Sequence, residues 1–277
     1  MRINKDSLSA RVVNIAKEKG INANVVYSRY FFDCFLKRLS LSPYSEKFIL
    51  KGGLFLSSVL GIENRATMDI DFIVRKIRLE RVEIIDIIKE ICRVSADDNV
   101  SFLYIGESEI KKDDIYGGFS ISIEGRLENI RQRFDIDLAT ADIVYPSDQN
   151  YEYQCLVTGE TLHLKSYSIE SVVAEKMQTF LVRGALNSRA KDLYDLYVLA
   201  KLVEKNEDTL KTAFKETCRC RKFEIDKDKA IKTFESVSLS PMQKKVWESF
   251  SRKTSYAKEI SFDEVLVTIG HLIEIIF

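Results

Sequence analysis

Asp69 and Asp71 stand one residue apart in "MDIDFIV", and Asp135 and Asp137 repeat that spacing in "RFDIDLA". Residues i and i+2 of a strand project to the same face. Each pair would therefore line up two carboxylates while Met68, Ile70 and Phe72, or Phe134, Ile136 and Leu138, turn to a core. Carboxylates held side by side repel each other unless a cation sits between them. Mg2+ fits such a place, because it takes hard oxygen donors and commonly bridges substrate phosphates. Upstream, in "LKGGLF", Gly52 and Gly53 precede the first pair, Gly53 by 16 residues. Backbone without Cβ atoms at a helix start lets N–H groups approach a phosphate closely. Gly52 and Gly53 are thus candidate phosphate contacts, with Ser57 or Ser58 about a turn further on. A third carboxylate brought beside Asp69 and Asp71 would make a two-metal site, which aligns an attacking hydroxyl with a triphosphate and neutralises the charge that develops. In a chain with 42 acidic residues a single DxD pair is common, but the glycine pair, the first hDhDh and a later hDhDh in that order are not.

Elements of alternating type must hold these residues. "NANVVYSRYFFDCFLKRLSLS" repeats apolar residues every three or four positions and predicts a helix, ended near Pro43. "KFIL" is a short apolar segment, Gly52 and Gly53 open the helix "LFLSSVLG", and Gly61 closes it. "MDIDFIV" predicts a strand and "RVEIIDIIKEICRV" an amphipathic helix. "VSFLYIGESEI", "GGFSISIEGRL" and "RQRFDIDLATADIV" predict three further strands. After Pro146 the pattern turns helical from Ser168 to Phe277, beginning with "SIESVVAEKMQTFLVRG", where Ser168 and Gly184 are the expected caps. The expected class is α+β: a mixed sheet with helices over residues 1–160, then a helical domain over 161–277.

Composition narrows the setting. With 277 residues and 45% apolar content the chain can bury a sizeable core. No apolar run approaches a membrane span and the start lacks a signal-peptide core, so a cytoplasmic protein without membrane contact is expected. The five cysteines are scattered with no CxxC pair, which fits reduced thiols. Net charge is zero but uneven. Residues 1–65 carry 11 basic and 5 acidic side chains, residues 66–160 carry 11 and 20, and residues 161–277 carry 20 and 17. Acids clustered around cations and basic surfaces elsewhere that hold a polyanion would give this pattern, and so would chance segmentation of solvated faces.

Two lysines complete the candidate set. Lys176 follows Glu175 inside an otherwise apolar helix, where a lysine more often lies at the core edge with its charge in solvent. Lys191 and Asp195 lie four apart on the next helix and share a face, as a surface ion pair also would.

Together these residues resemble the nucleotidyltransferase superfamily with a polymerase-β-like fold, and more closely the AbiEii-type abortive-infection toxins, which include the MenT nucleotidyltransferases. The resemblance covers roughly residues 48–200. It rests on "KGGLFLSSVLG...RATMDIDF", on "DIDLATADIVYP", and above all on "YSIESVVAEKMQTFLVRGALNSRAKDLYDLY", with its "AEK" and "SRxKDxxDL". The chain departs from the family pattern at Ala141, where glycine is frequent, and at Leu56–Ser58, where an arginine is common. The resemblance implies an enzyme that uses NTP and two Mg2+ ions. Asp69 and Asp71 would bind both metals, and Asp137 would bind the second and help activate the acceptor hydroxyl. Lys176 would reach the nucleotide phosphates, and Lys191 and Asp195 would complete the nucleotide site, with Asp192 a weaker candidate. It implies a monomeric toxin of a toxin–antitoxin or phage-defence system, paired with a cognate antitoxin, whose acceptor is RNA, notably the tRNA 3′ end. A DxD glycosyltransferase, a metal-dependent nuclease built on Glu109 and Lys111 with Asp97 or Asp98, and an inactive nucleotide-binding module are the alternatives.

Overall fold

The computed structural model describes residues 3–77, 80–110, 118–139, 145–203 and 206–277. They divide into two compact units, the first comprising residues 1–141 and 148–166, the second 142–147 and 167–277.

The first unit opens with α1 (Lys5–Lys19) and α2 (Ala23–Ser40), each started by an asparagine whose side chain accepts a backbone N–H that the first turn leaves unpaired. A single sheet follows, formed by β1 (Phe48–Lys51), β2 (Asp69–Val74), β3 (Ser101–Ile110), β4 (Gly118–Leu127), β5 (Ile130–Ala139), β6 (Gln149–Gln154) and β7 (Thr161–Ser166). Its order is β3-β4-β5-β2-β1-β7-β6. β2 runs parallel to β5 and β1 parallel to β7, while the other neighbours are antiparallel. Between β1 and β2 lies α3 (Gly52–Leu60), and between β2 and β3 lies α4 (Arg81–Arg93), which buries Ile84, Ile87, Ile88 and Ile91 at helical spacing. The chain is thus the α+β protein with a mixed sheet that its pattern predicts.

β6 and β7 do not follow from that pattern, which leaves their span as a connection. "QNYEYQ" and "TLHLKS" carry few apolar residues, but alternate ones are buried: Tyr153 on β6, and Leu162, Leu164 and Ser166 on β7. A hairpin at the end of a sheet packs one face only, so half of its side chains are polar and its apolar signal is weak.

α2 is fastened to this hairpin through a buried carboxylate. Asp33 accepts from Arg29 Nε at 3.1 Å, from the Tyr153 hydroxyl at 2.6 Å and from the Leu156 N–H at 2.8 Å. The Arg29 guanidinium lies 4.7 Å over the Tyr153 ring and donates to Ser57 Oγ at 3.3 Å, which ties α3 into the same network. Tyr153→Phe removes one donor to a buried charge and is expected to cost about 2 kcal/mol in urea unfolding, with the slope of the transition unchanged.

The second unit is helical, with α5 (Ile169–Arg183), α6 (Ala190–Val203), α7 (Glu207–Cys220), α8 (Lys227–Ser238), α9 (Pro241–Lys253) and α10 (Phe262–Ile276). Ser168 caps α5, as its position predicts, and also donates to Tyr145 O at 2.9 Å. The core forms around α10, whose Val265, Ile269, Leu272 and Ile273 are buried, together with Val173, Met177 and Phe180 of α5. Among the described residues, no helix is long and apolar enough to cross a membrane.

Candidate active site

The register of the sheet sets four carboxylates on one face. Asp69 pairs with Asp135 and Asp71 with Asp137 across the parallel strands β2 and β5, and registered partners point the same way. Each acid has its own donor. Thr67 Oγ1 donates to Asp69, Ser122 Oγ to Asp135, and Ser120 Oγ to Asp137 at 2.6 Å, while the Gly53 N–H at the start of α3 donates to Asp71 at 3.2 Å. Asp135 is exposed, whereas Asp69, Asp71 and Asp137 are half-buried. Met68, expected to face the core, is 53% exposed, because the strand begins only at Asp69; Ile70 and Phe72 are buried as predicted.

Lost hydration, then the neighbouring charge of Asp69, push the Asp71 carboxyl up to about 6; Asp137 adds to this and Lys51 and the Gly53 N–H oppose it. Lys51, buried on β1 directly across from Asp71, has no part in the sequence reading. Neither have Thr67 and Ser120. Ser120 and Ser122 sit at i and i+2 on β4 opposite the two β5 acids, a period-2 signal that the sequence already carries.

The glycines are required by contact. Gly52 has φ +61, and a Cβ there would stand 2.0 Å from Asp71 Oδ2. A Cβ on Gly53 would stand 2.4 Å from Thr67 Oγ1. The bare backbone lets the start of α3 close on Asp71 and on Thr67, the donor to Asp69. Gly52→Ala is expected to cost about 1–3 kcal/mol of stability from the left-handed φ, and to reduce nucleotide transfer by more than that strain alone, since the added methyl displaces Asp71 itself. Paired unfolding and transfer assays on one preparation check this. Ser57, a candidate ligand contact, is instead buried with its hydroxyl accepting from Arg29, and Ser58 shares a 2.9 Å hydrogen bond with Tyr151.

A divalent cation suits this donor set in chemistry: all-oxygen ligands, with the Asp71 carboxyl raised by lost hydration and then by its acidic neighbours, whose mutual repulsion a cation would relieve. Among the described residues no group of three or more His, Cys, Asp or Glu is arranged to hold a metal ion as it stands. Of the residues invoked for a nuclease, Asp98 is bound by the buried Arg38 at 2.6 and 2.8 Å, and Lys111 lies outside the described residues, as do Ala141 and Asp142.

In the second unit Lys176 is not at the core edge. Its ammonium lies 2.5 Å from Asp192 and 2.9 Å from Asp195, whose side chain is fully buried. Burial opposes the charge, but Asp195 and then Asp192 outweigh it and hold Lys176 above its ordinary value. Asp192, the weaker candidate by sequence, therefore shares Lys176 with Asp195. Lys191 is exposed while Asp195 is buried, although the two are four residues apart. Glu175 pairs with Arg221 at 2.7 Å.

The family profile described as nucleotidyl transferase AbiEii toxin, type IV toxin–antitoxin system, matches residues 34–268. The chain belongs to this AbiEii family. The match takes in both strand acids and the Lys176 cluster, and makes the protein an NTP-dependent nucleotidyltransferase of a type IV toxin–antitoxin system, a setting that implies an antitoxin partner. Among solved structures, JHP933 from Helicobacter pylori is similar over 92% of this chain and 92% of its own, at 16% identity and a TM-score of 0.48. An antigenic nucleotidyltransferase-like protein from Paracoccidioides brasiliensis is similar over 84% of this chain and 95% of its own, at 14% identity and a TM-score of 0.40. No curated protein sequence matches the chain.

Proposed function

We propose that this AbiEii-family chain transfers a nucleotidyl group from an NTP to an RNA hydroxyl, the tRNA 3′ end being the preferred acceptor, and thereby arrests growth, as in defence against phage. The observation that carries this reading is the registered pairing of Asp69 and Asp71 with Asp135 and Asp137 under the glycine start of α3. In this reading the acceptor oxygen attacks the α-phosphorus, the bond to the β-phosphate oxygen breaks, and pyrophosphate leaves. Asp137, oriented by Ser120, takes up the acceptor proton, and Asp69 and Asp71 are held by Thr67 and the Gly53 N–H as oxygen donors. Mg2+, bound by Asp69, Asp71 and Asp137, would supply charge neutralisation at the phosphates. Lys176, fixed by Asp192 and Asp195, is proposed as the point charge for the polyphosphate. Gly52 and Gly53 serve by admitting α3 to Asp71, and Lys191 is proposed as a nucleotide contact from the exposed side of α6. The chain would act in the cytoplasm as a monomer, with the cognate antitoxin as a protein partner.

Incubation with each NTP labelled at the α-phosphate, Mg2+ and total tRNA tests the reading. Label is expected in tRNA, released by nuclease treatment from the 3′ end, and absent when EDTA is added. Label on protein, cleavage of the tRNA, or NTP binding without turnover would each replace the proposed reaction.

A further inference from the structure

On the second unit, the start of α6 and one face of α9 enclose an open groove of about 920 Å³. Arg189 and Lys191 line it from α6 and its approach, Lys245 and Lys253 from α9, and all four are exposed. Met242, Val246 and Phe250 form its apolar floor. The one acid in the lining, Asp192, is engaged by Lys176 at 2.5 Å and lies 3.9 Å from Arg189, so it does little to offset the cations.

We propose that this groove binds the backbone of the single-stranded RNA acceptor, with Lys245 and Lys253 as phosphate contacts. The inference rests on the RNA-acceptor reading above and names residues on α9 that the transfer chemistry does not use. Spacing separates a strand from a compact anion. Lys245, Ser249 and Lys253 recur every four residues on one face of α9, which sets the two lysines about 12 Å apart along the axis. One phosphate cannot meet both, whereas a chain of phosphates can. The apolar floor separates RNA from an acidic protein segment. Met242 is 54% exposed, and Phe250 is half-buried against Trp247, Tyr194 and Tyr256, which leaves an apolar ledge beside the cations of the kind on which unstacked bases rest.

The test uses the full chain and a fluorescein-labelled single-stranded RNA of mixed sequence, followed by anisotropy at rising KCl. Lys245→Ala and Lys253→Ala are each expected to weaken binding about fivefold at moderate salt and to lower the slope of log affinity against log salt by about 0.7, the value for one lost phosphate contact on a single strand. Lys→Arg at either place should keep both slope and affinity close to wild type. Calorimetric NTP affinity should stay unchanged in the double alanine variant. Wild-type RNA affinity and slope in that double variant would overturn the groove while leaving the acceptor reading intact. Wild-type protein that takes NTP but neither binds nor labels RNA would overturn the acceptor reading itself. Displacement of the RNA by polyglutamate as readily as by unlabelled RNA would overturn the assignment in favour of an acidic protein partner.

Discussion

Asp71→Asn is expected to abolish nucleotide transfer, by about 10³-fold or more, while making the metal-free protein more stable. The two effects have one origin. Asp71 is forced to share its face with Asp69 and Asp137, and lost hydration together with Asp69 lifts its carboxyl to about 6. A folded-state value above the unfolded one means that ionisation costs the fold free energy. The cost is absent below about pH 4, grows as pH rises toward 6, and is complete above it. Asparagine keeps the shape and an acceptor for the Gly53 N–H but carries no charge. At pH 7.5 with EDTA present, relief of this repulsion should raise stability by about 1–2 kcal/mol after allowance for residual solvent around a half-buried group, and the gain should vanish at pH 4. The loss of transfer follows because the same charge is the one proposed to hold the cation at the reacting phosphates, where preorganised charge dominates the rate. Asp69→Asn should also lose transfer. Asp135→Asn should be milder, because Asp135 is exposed and registers with Asp69 at the outer end of the pair. An Asp71→Asn protein that unfolds at a lower denaturant concentration and still transfers nucleotide would reverse the assignment of this carboxylate from chemistry to structure.

The strand acids were legible because their geometry is local. A period of two fixes which side Asp69 and Asp71 share, and the same period fixes Asp135 and Asp137, so no long-range information is needed beyond the two strands lying side by side. The glycine pair was legible as a helix start, but its reason was not: that a Cβ at Gly52 would strike Asp71 is a contact across 19 residues of sequence, set by the β1–β2 register. Lys51 was missed for the same reason. A lysine ending a four-residue apolar strand looks like a solvated terminus, and only the pairing with β2 shows that it is buried opposite Asp71. β6 and β7 were missed because the hairpin buries one face only: Tyr153 is the buried side chain of β6, and on β7 the buried Leu162 and Leu164 alternate with the exposed His163. Ser57 was misjudged because its neighbour Arg29 comes from α2, 28 residues earlier. Local patterning thus placed the carboxylates on one face, whereas the partners that tune them come from elements that the sequence separates.

Lys176→Ala is expected to act on both function and stability, in contrast with the small stability change that a lysine at the core edge predicts. The structure holds its ammonium 2.5 Å from Asp192 and 2.9 Å from the fully buried Asp195, on a side chain only 15% exposed. Removing it leaves a buried carboxylate without its cation, a change that costs about 3–5 kcal/mol where one partner of a buried pair is deleted. Loss of transfer on its own therefore does not show phosphate binding, because a partly unfolded enzyme loses transfer too. A second substitution separates the causes. Lys176→Met with Asp195→Asn removes the buried carboxylate charge together with the ammonium, and a neutral pair of similar volume should recover most of the lost stability. If Lys176 serves the nucleotide, this folded double variant should still bind NTP weakly and transfer about 10²-fold more slowly than wild type. Lys176→Arg should fold but fall short of full activity, because the planar fork that can bridge Asp192 and Asp195 does not present the compact charge of an ammonium. Measured by calorimetry and transfer on matched preparations, a double variant with wild-type stability, NTP affinity and rate would assign Lys176 to holding α5 against α6 and to nothing more.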